Sequence, residues 1–392
     1  MNSTHKGKDA STDKTNIPYG FIPVCKSNLE YKTKQKLDTY SDDLYSGYMN
    51  CKLYVLNELL VGNRQISKGK RSTEVYPLCI KDKIIIPAST LKSCVANFMA
   101  AYLGYPLNRI DESKYGFKKK RQDNSDSCRS QGGKSIEDFE KDYCEYDKAE
   151  LANDKLNMIE EIFGYSISDK SIEHEKRAKS GKVHFSYAVA DSDYKANKIN
   201  VNMPFPGSPY TALYKFYMRD SKPKDSAPRN NALRLKGRKF FYRTKDKPSM
   251  ENKPNEVFLK DVLRADKEVM PFFTFRVYFE NLEAEELRTL CYCLNMGQNW
   301  EPVFSSIIWD KDKDKAYIKD SETSLLCHQI GYGKNYGMGA VKIVLEERKN
   351  KVCVIRVKMN KETRKLGEWY FYPSIEKKMS DELKDLSYLY AL

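Results

Sequence analysis

The residues best suited to chemistry lie late in the chain, in His328-Gln329-Ile330-Gly331-Tyr332-Gly333-Lys334-Asn335-Tyr336-Gly337-Met338-Gly339-Ala340. Four glycines, Gly331, Gly333, Gly337 and Gly339, fall within nine residues. Glycine loses more backbone entropy on ordering than any other residue. Such density implies a chain that takes positive φ or lets another backbone come close. Between the glycines stand Lys334, Asn335 and two aromatics, Tyr332 and Tyr336. Bare amides beside a cation suit a phosphate, and tyrosine faces suit a base. An apolar run over 341–345 follows and reads as a strand. The glycines therefore do not open a helix, which argues against a phosphate loop of the Walker type or a dinucleotide fingerprint. The plain alternative is a tight hairpin with an incidental lysine.

A second chemical stretch is Arg234-Leu235-Lys236-Gly237-Arg238-Lys239-Phe240-Phe241-Tyr242-Arg243-Thr244-Lys245, with six cations and three aromatics in twelve residues. As a strand it would project Arg234, Lys236, Arg238 and Phe240 to one face, a cationic stripe beside an aromatic. An edge strand protected by lysine and arginine is the competing reading. A third is Ile84-Ile85-Ile86-Pro87-Ala88-Ser89-Thr90-Leu91-Lys92. A short buried strand stops at the proline, and Ser89 or Thr90 caps a helix. Leu91, Val95, Phe98, Met99 and Tyr102 give it one apolar face, and Gly104 ends it. Lys92 sits in the first turn, where the helix dipole disfavours a cation. A docked anion explains it as well as a solvated lysine does.

Composition points the same way. The chain has 392 residues, with 68 Lys plus Arg against 54 Asp plus Glu, a net charge of +14. That excess favours a polyanion, with solubility alone as the other explanation. The 28 tyrosines and 17 phenylalanines supply core and also stacking surfaces for unpaired bases. Ten cysteines are scattered rather than paired, and no apolar leader begins the sequence, so they read as reduced thiols in a cytoplasm. Cys291-Tyr292-Cys293 is too tight for a zinc knuckle, and no metal or other cofactor is expected. No apolar run reaches membrane-spanning length.

The elements that must position these residues follow from periodicity. Residues 1–16 are polar and read as a disordered arm. Alternation over 48–56 predicts a strand, then a basic loop over 63–71. Polar insertions are expected at about 105–148 and 191–270, with a short helix over 149–163 and a strand over 181–190 between them. An alternating aromatic strand over 272–279, a turn at 280–282 and a helix over 283–294 come next. The runs 341–345 and 352–358 read as a closing hairpin, and 347–392 as a C-terminal tail with a short helix from Asp381. The order strand, helix, strand, strand, helix, strand predicts an α+β, ferredoxin-like, RRM-like core over 17–346. Its antiparallel sheet would carry helices on one face, with large loop insertions.

Several of these segments resemble the RAMP superfamily of type III CRISPR–Cas systems. Ile86-Pro87-Ala88-Ser89-Thr90-Leu91-Lys92 is similar to its IPGSSLKG segment. Ile162-Phe163-Gly164 with Gly181-Lys182-Val183-His184-Phe185-Ser186 resembles its LFG and GRVxFSDA run. Leu235 to Tyr242 resembles a GRKFY segment, Phe279-Glu280-Asn281-Leu282 an FENL motif, and His328 to Gly339 the C-terminal GxGKxxGxG loop. The resemblance implies a Cas7-like subunit in the cytoplasm, with CRISPR RNA, complementary target RNA and other Cas effector subunits as partners and no membrane. It would hold the RNA backbone while base pairing reads sequence. It places RNA contacts at Ser89, Thr90 and Lys92, and at Gly331, Gly333, Lys334, Asn335, Tyr336, Gly337 and Gly339. Arg234, Lys236, Arg238, Lys239 and Tyr242 of the basic stretch join them.

Two departures stand out. Ala88 and Ser93 replace motif glycines. Target-cutting members carry an aspartate in the loop before the IPGSS-like strand, and here 73–78 holds only Glu74. Metal-free processing relatives would need a general base, for which His328 and His184 are the candidates, His184 fitting a satisfied sheet histidine better. The expected role is thus guide-RNA binding. The alternatives are an endoribonuclease working through Glu74 or His328, and a general RNA-binding module.

Overall fold

The computed structural model describes residues 19–22, 30–33, 41, 43–68, 72–105, 153–166, 173–204, 237–241, 256–266, 268–299, 307–310, 315–318, 326–348, 351–359, 366–371 and 373. The elements used below are, in chain order, β1 (Tyr19–Ile22), β2 (Tyr45–Val55), β3 (Gly62–Ser67), β4 (Ser72–Ile80), β5 (Lys83–Ile86), α1 (Ala88–Tyr102) and α2 (Met158–Phe163). Then come β6 (Val183–Phe185), β7 (Ala188–Ala190), β8 (Lys198–Pro204), β9 (Arg238–Phe241), β10 (Glu256–Arg264), β11 (Phe272–Leu282) and α3 (Ala284–Asn295). The last are β12 (His328–Gln329), β13 (Ala340–Leu345), β14 (Val354–Met359) and β15 (Leu366–Phe371).

The architecture is mixed and rich in strand, with few helices among the described residues. Its centre is the antiparallel order β13–β2–β11, with β6 and β7 following one another along the far edge of β11. Alternation explains it. Met49, Cys51, Leu53 and Val55 of β2 and Phe273, Phe275, Val277 and Phe279 of β11 are buried on one face. Both long helices cover that face. Leu91, Val95, Phe98 and Met99 of α1 join Leu287, Leu290, Cys291 and Leu294 of α3 in the same cluster. Each such side chain contributes about 2 kcal/mol on burial. The opposite face of β11, with Thr274, Arg276, Tyr278 and Glu280, is open to solvent.

The helix ends obey local rules, with one correction. α1 is capped by Pro87 (φ −59°, ψ 141°), with no side-chain cap bond. Ser89 and Thr90 therefore lie inside the first turn rather than capping it. Gly104, at φ 68°, ends the helix as its sequence suggests. α3 starts on a reciprocal capping box between Glu283 and Glu286. Of the helix expected over 149–163, only α2 is helical among the described residues, which here begin at 153, and Lys155–Asn157 is a strand.

A second arm of sheet lies where loops were expected. β3 and β4 pair antiparallel, β10 runs parallel to β4, and β8 pairs antiparallel with β10. The basic loop of 63–71 is thus mostly a strand, and so is 73–78. The expected insertion of 191–270 contributes β8 and β10 to this arm. The arm joins the centre through a tight β4–β5 hairpin, whose Lys81 and Asp82 take φ of 48° and 65°, and through β5 on β7. Two more expectations are corrected. β11 runs on through the predicted turn to Leu282, with Asn281 at φ 52° marking a bulge. β14 pairs with β2 and β15, not with β13. The expected arm 1–16, nearly all of the 105–148 insertion and the helix from Asp381 lie outside the described residues.

Candidate nucleic-acid interface

The glycine loop joins β12 to β13. Gly331, Gly333, Gly337 and Gly339 take φ of 81°, 72°, 80° and 85°, the region that excludes most side chains. Two of them also face backbone at very short range. A Cβ on Gly339 would stand 2.0 Å from the Ile330 carbonyl oxygen, and one on Gly331 2.3 Å from that of Leu60. The chain after β2 is the wall against which the loop is pressed. The Tyr332 amide donates to the Leu60 carbonyl (2.9 Å) and the Gly339 amide to that of Glu58 (2.7 Å). Asn57 clamps both sides, its Nδ2 donating to the Gly337 carbonyl (2.7 Å) and its Oδ1 accepting from the Ala340 amide (3.0 Å). Gln329 ties the loop across itself, its Nε2 donating to the carbonyls of Lys334 (3.1 Å) and Met338 (2.9 Å).

Much of the expected amide cradle is therefore spent on the protein itself. Tyr336 and Met338 donate to the Gly333 carbonyl, and Gly337 to that of Lys334. Among the described residues, the amides of Gly331, Lys334 and Asn335 donate to nothing. Lys334 and Asn335 are half-buried and form the turn's outer edge, while Tyr336 is buried. Tyr336 and Met338 pack with Val75, Val257, Leu259 and Val262, which seats the loop on the β4–β10 arm. Burial pushes the Tyr336 hydroxyl above its ordinary range. Its ring is thus core rather than a free stacking face, a correction to the sequence reading. The Tyr332 hydroxyl accepts from Gln65 Nε2 of β3 (2.5 Å).

The basic ribbon is placed differently from its expectation. β9 pairs with β1. Arg238, expected on the outward stripe, is 7% exposed. Its guanidinium donates to Asn97 Oδ1 (2.9 Å) and to the Tyr105 carbonyl (3.4 Å), binding β9 to the second half of α1. The Lys239 ammonium lies 3.7 Å from the Tyr19 ring centroid, a cation–π contact. Arg234, Lys236 and Tyr242 lie outside the described residues. In the first turn of α1, Ser89 is exposed, Thr90 and Lys92 half-buried, and burial lowers the Lys92 ammonium below its ordinary value. The structure thus joins the loop to the second sheet arm and the ribbon to the end of α1, as two separate ties.

The candidate bases are also located. His328 is 2% exposed. Its Nε2 lies 3.0 Å from the Leu294 carbonyl and its ring meets Phe98 edge-on, so it is a core residue out of reach of a substrate. Glu74 lies on β4 rather than in a loop. The Tyr76 hydroxyl donates to it (2.9 Å), and Lys68 and Lys260 stand 3.5 and 3.8 Å away. That hydrogen bond first, and then the lysines, hold its carboxyl below the ordinary range, which makes it a poor proton acceptor. His184 is exposed on β6. Cys51, Cys291 and Cys293 are buried, and burial pushes Cys291 up to about 12. Among the described residues, no three His, Cys, Asp or Glu side chains gather as a metal would need. None of the described helices is long and apolar enough to cross a membrane.

Sequence reasoning missed the loop's clamps, Asn57 and Gln65. They lie more than two hundred residues earlier, and neither carries a local signal. The family model described as the RAMP superfamily matches residues 52–342. No curated protein matches the chain. Among solved structures, that of Csc2 from Thermofilum pendens is similar at 12% identity and a TM-score of 0.30, over 91% of this chain and 79% of that one.

Proposed function

Since the chain belongs to the RAMP superfamily, we propose that it is a Cas7-like subunit holding guide (CRISPR) RNA in a type III-like effector complex. Its partners are that RNA, the complementary target RNA and other Cas subunits in the cytoplasm, and its task is target recognition in antiviral defence. The strand order β13–β2–β11–β6/β7, with α1 and α3 on one face, supports a ferredoxin-like, RRM-like core.

The observation that carries the reading is the outer edge of the glycine loop. There half-buried Lys334 shares one tight turn with amides of Gly331, Lys334 and Asn335 that donate to nothing among the described residues. Clamped by Asn57 and Gln329, this edge holds its donors in place before any ligand arrives, which lowers the ordering cost of binding. Donors of this kind take phosphate oxygens and supply affinity and position, not sequence. Ser89, Thr90 and Lys92 at the start of α1 provide further backbone contacts in the same reading, and Lys239 a third.

The test is the salt dependence of single-stranded RNA binding. Lys334→Ala should weaken binding and lower the log–log salt slope by about 0.7, the value for one phosphate contact on a single strand. An unchanged slope removes the loop from the interface. RNA that co-purifies with discrete, repeat-derived ends fits a guide-binding subunit, whereas heterogeneous RNA points to a general RNA-binding module.

A further inference from the structure

The open face of the central sheet carries a row of side chains that the phosphate-binding loop does not use. Strand register places His184 opposite Tyr278, Tyr278 opposite Tyr48, Tyr48 opposite Ile355, and Ile355 opposite Tyr370. The row crosses five strands, β6, β11, β2, β14 and β15. Directly paired residues share a face, so these side chains lie side by side, with Tyr48 half-buried and Ile355 buried between it and Tyr370. At about 4.8 Å per strand the row is about 19 Å long. Tyr278 and Tyr370 are 41% and 47% exposed, unusual for large rings. The Tyr48 and Tyr278 centroids are 6.1 Å apart. Two guanidiniums lie against the row, that of Arg276 5.0 Å from the Tyr48 centroid and that of Arg348 4.0 Å from the Tyr370 centroid.

We propose that this row is a second RNA-binding surface, a platform on which unpaired bases of single-stranded RNA stack. The proposal rests on the reading that the chain binds RNA, and it adds a surface separate from the glycine loop. Flat rings at strand spacing, interleaved with guanidinium planes, are what unpaired bases stack upon, and the chain's net charge of +14 draws the polyanion in. Nearby carboxylates set the strand's orientation. Glu368 accepts the Tyr48 hydroxyl (2.8 Å), and Glu346 accepts Asn50 Nδ2 (2.6 Å) and Arg348 Nε (3.1 Å). Glu280 is exposed on the same face of β11. These acids repel phosphates, so bases face the sheet and the sugar-phosphate chain stays outward. Binding here depends on ring area rather than on phosphate contacts.

The experiment titrates the full chain with fluorescent oligouridine at two salt concentrations, with ultraviolet crosslinking mapped to peptides. Tyr278→Ala should weaken binding roughly tenfold, as loss of one stacked base does, while leaving the salt slope unchanged. Tyr278→Phe keeps the ring and should bind as the native chain does, and both variants should keep the native melting temperature. Crosslinks should fall on the β11 peptide that carries Tyr278. Native affinity in Tyr278→Ala, with no crosslink on β11, overturns the platform even when Lys334→Ala lowers the slope. A Tyr278→Ala variant that keeps its RNA but loses a protein partner overturns it as well and makes the face a protein interface. If the chain binds no RNA, both readings fall together.

Discussion

Adding one methyl group at Gly339 tests whether the glycine loop is a clamped device. Gly339 is held from both sides. Its amide donates to the Glu58 carbonyl at 2.7 Å, and its carbonyl accepts the Ile330 amide at 2.9 Å. A Cβ there would lie 2.0 Å from the Ile330 carbonyl oxygen and 3.1 Å from the carbon behind it. Ordinary contact begins near 3.4 Å, so one backbone must retreat by about 1.4 Å. A shift of that size breaks one of the two hydrogen bonds, worth about 1 kcal/mol and more where the orphaned group stays buried. The positive φ adds about 1–2 kcal/mol for any residue with a Cβ. The sum for Gly339→Ala is roughly 2–3 kcal/mol, a large part of a typical domain's margin. Because the loop ends in β12 and β13, the cost should appear first as local opening. Hydrogen exchange resolved to the loop should show the Tyr332 and Gly339 amides exchanging about 30 to 150 times faster, with a lowered melting temperature. RNA affinity should fall at least as far as in Lys334→Ala, which leaves those amides protected. A Gly339→Ala chain with native protection and native melting would refute the claim that close backbone approach is why the glycines are there.

Lys342 offers a pH test. It is 1% exposed, its ammonium donates to the carbonyls of Asn295 (2.8 Å) and Leu326 (3.4 Å), and burial pulls it down to about 7. The unfolded chain keeps that proton to about pH 10.4, so between those values the unfolded state binds more protons and stability rises with pH, by up to about 1.4 kcal/mol per unit. In Lys342→Met that contribution vanishes. The stability of the variant relative to the native chain should be highest near pH 6 and decline steadily toward pH 9 in urea unfolding. The difference cancels the opposing effect of the buried thiols, and a flat difference would sink the assignment. Arg238→Ala should cost about 2–4 kcal/mol of stability through loss of its bonds to Asn97 and Tyr105. It should leave the RNA salt slope native, with no rescue by lysine. A slope lowered as in Lys334→Ala would return Arg238 to the interface.

What the sequence conveyed depended on how far each signal had to reach. β2, α1, β11 and α3 were legible because each buries one face against a large neighbour, so its period is written in consecutive residues. β3 was not, since Gly62 to Ser67 is polar and its strand form comes from pairing with β4. β10 was hidden by a break in phase. Asp261, at φ 52°, breaks the phase so that Val262 stays in the cluster of Val257 and Leu259 while Leu263 is buried in the main core, which destroys the alternation. The same limit governs the site. Glycine density announced a constrained loop, but the constraint is a carbonyl of Glu58 or Leu60, far away in sequence, rather than a phosphate alone. Arg238 counted as a surface cation until Asn97, 141 residues earlier, accepted its guanidinium. The tyrosine row is the extreme case. Tyr48, Tyr278 and Tyr370 are unremarkable in a chain with 28 tyrosines, and only strand register aligns them. Local pattern thus determines which faces are buried. Pairing across long loops determines which charges and rings remain to meet a ligand. For that reason Lys334 and Tyr278, rather than the whole basic ribbon, are the positions at which this chain should be probed.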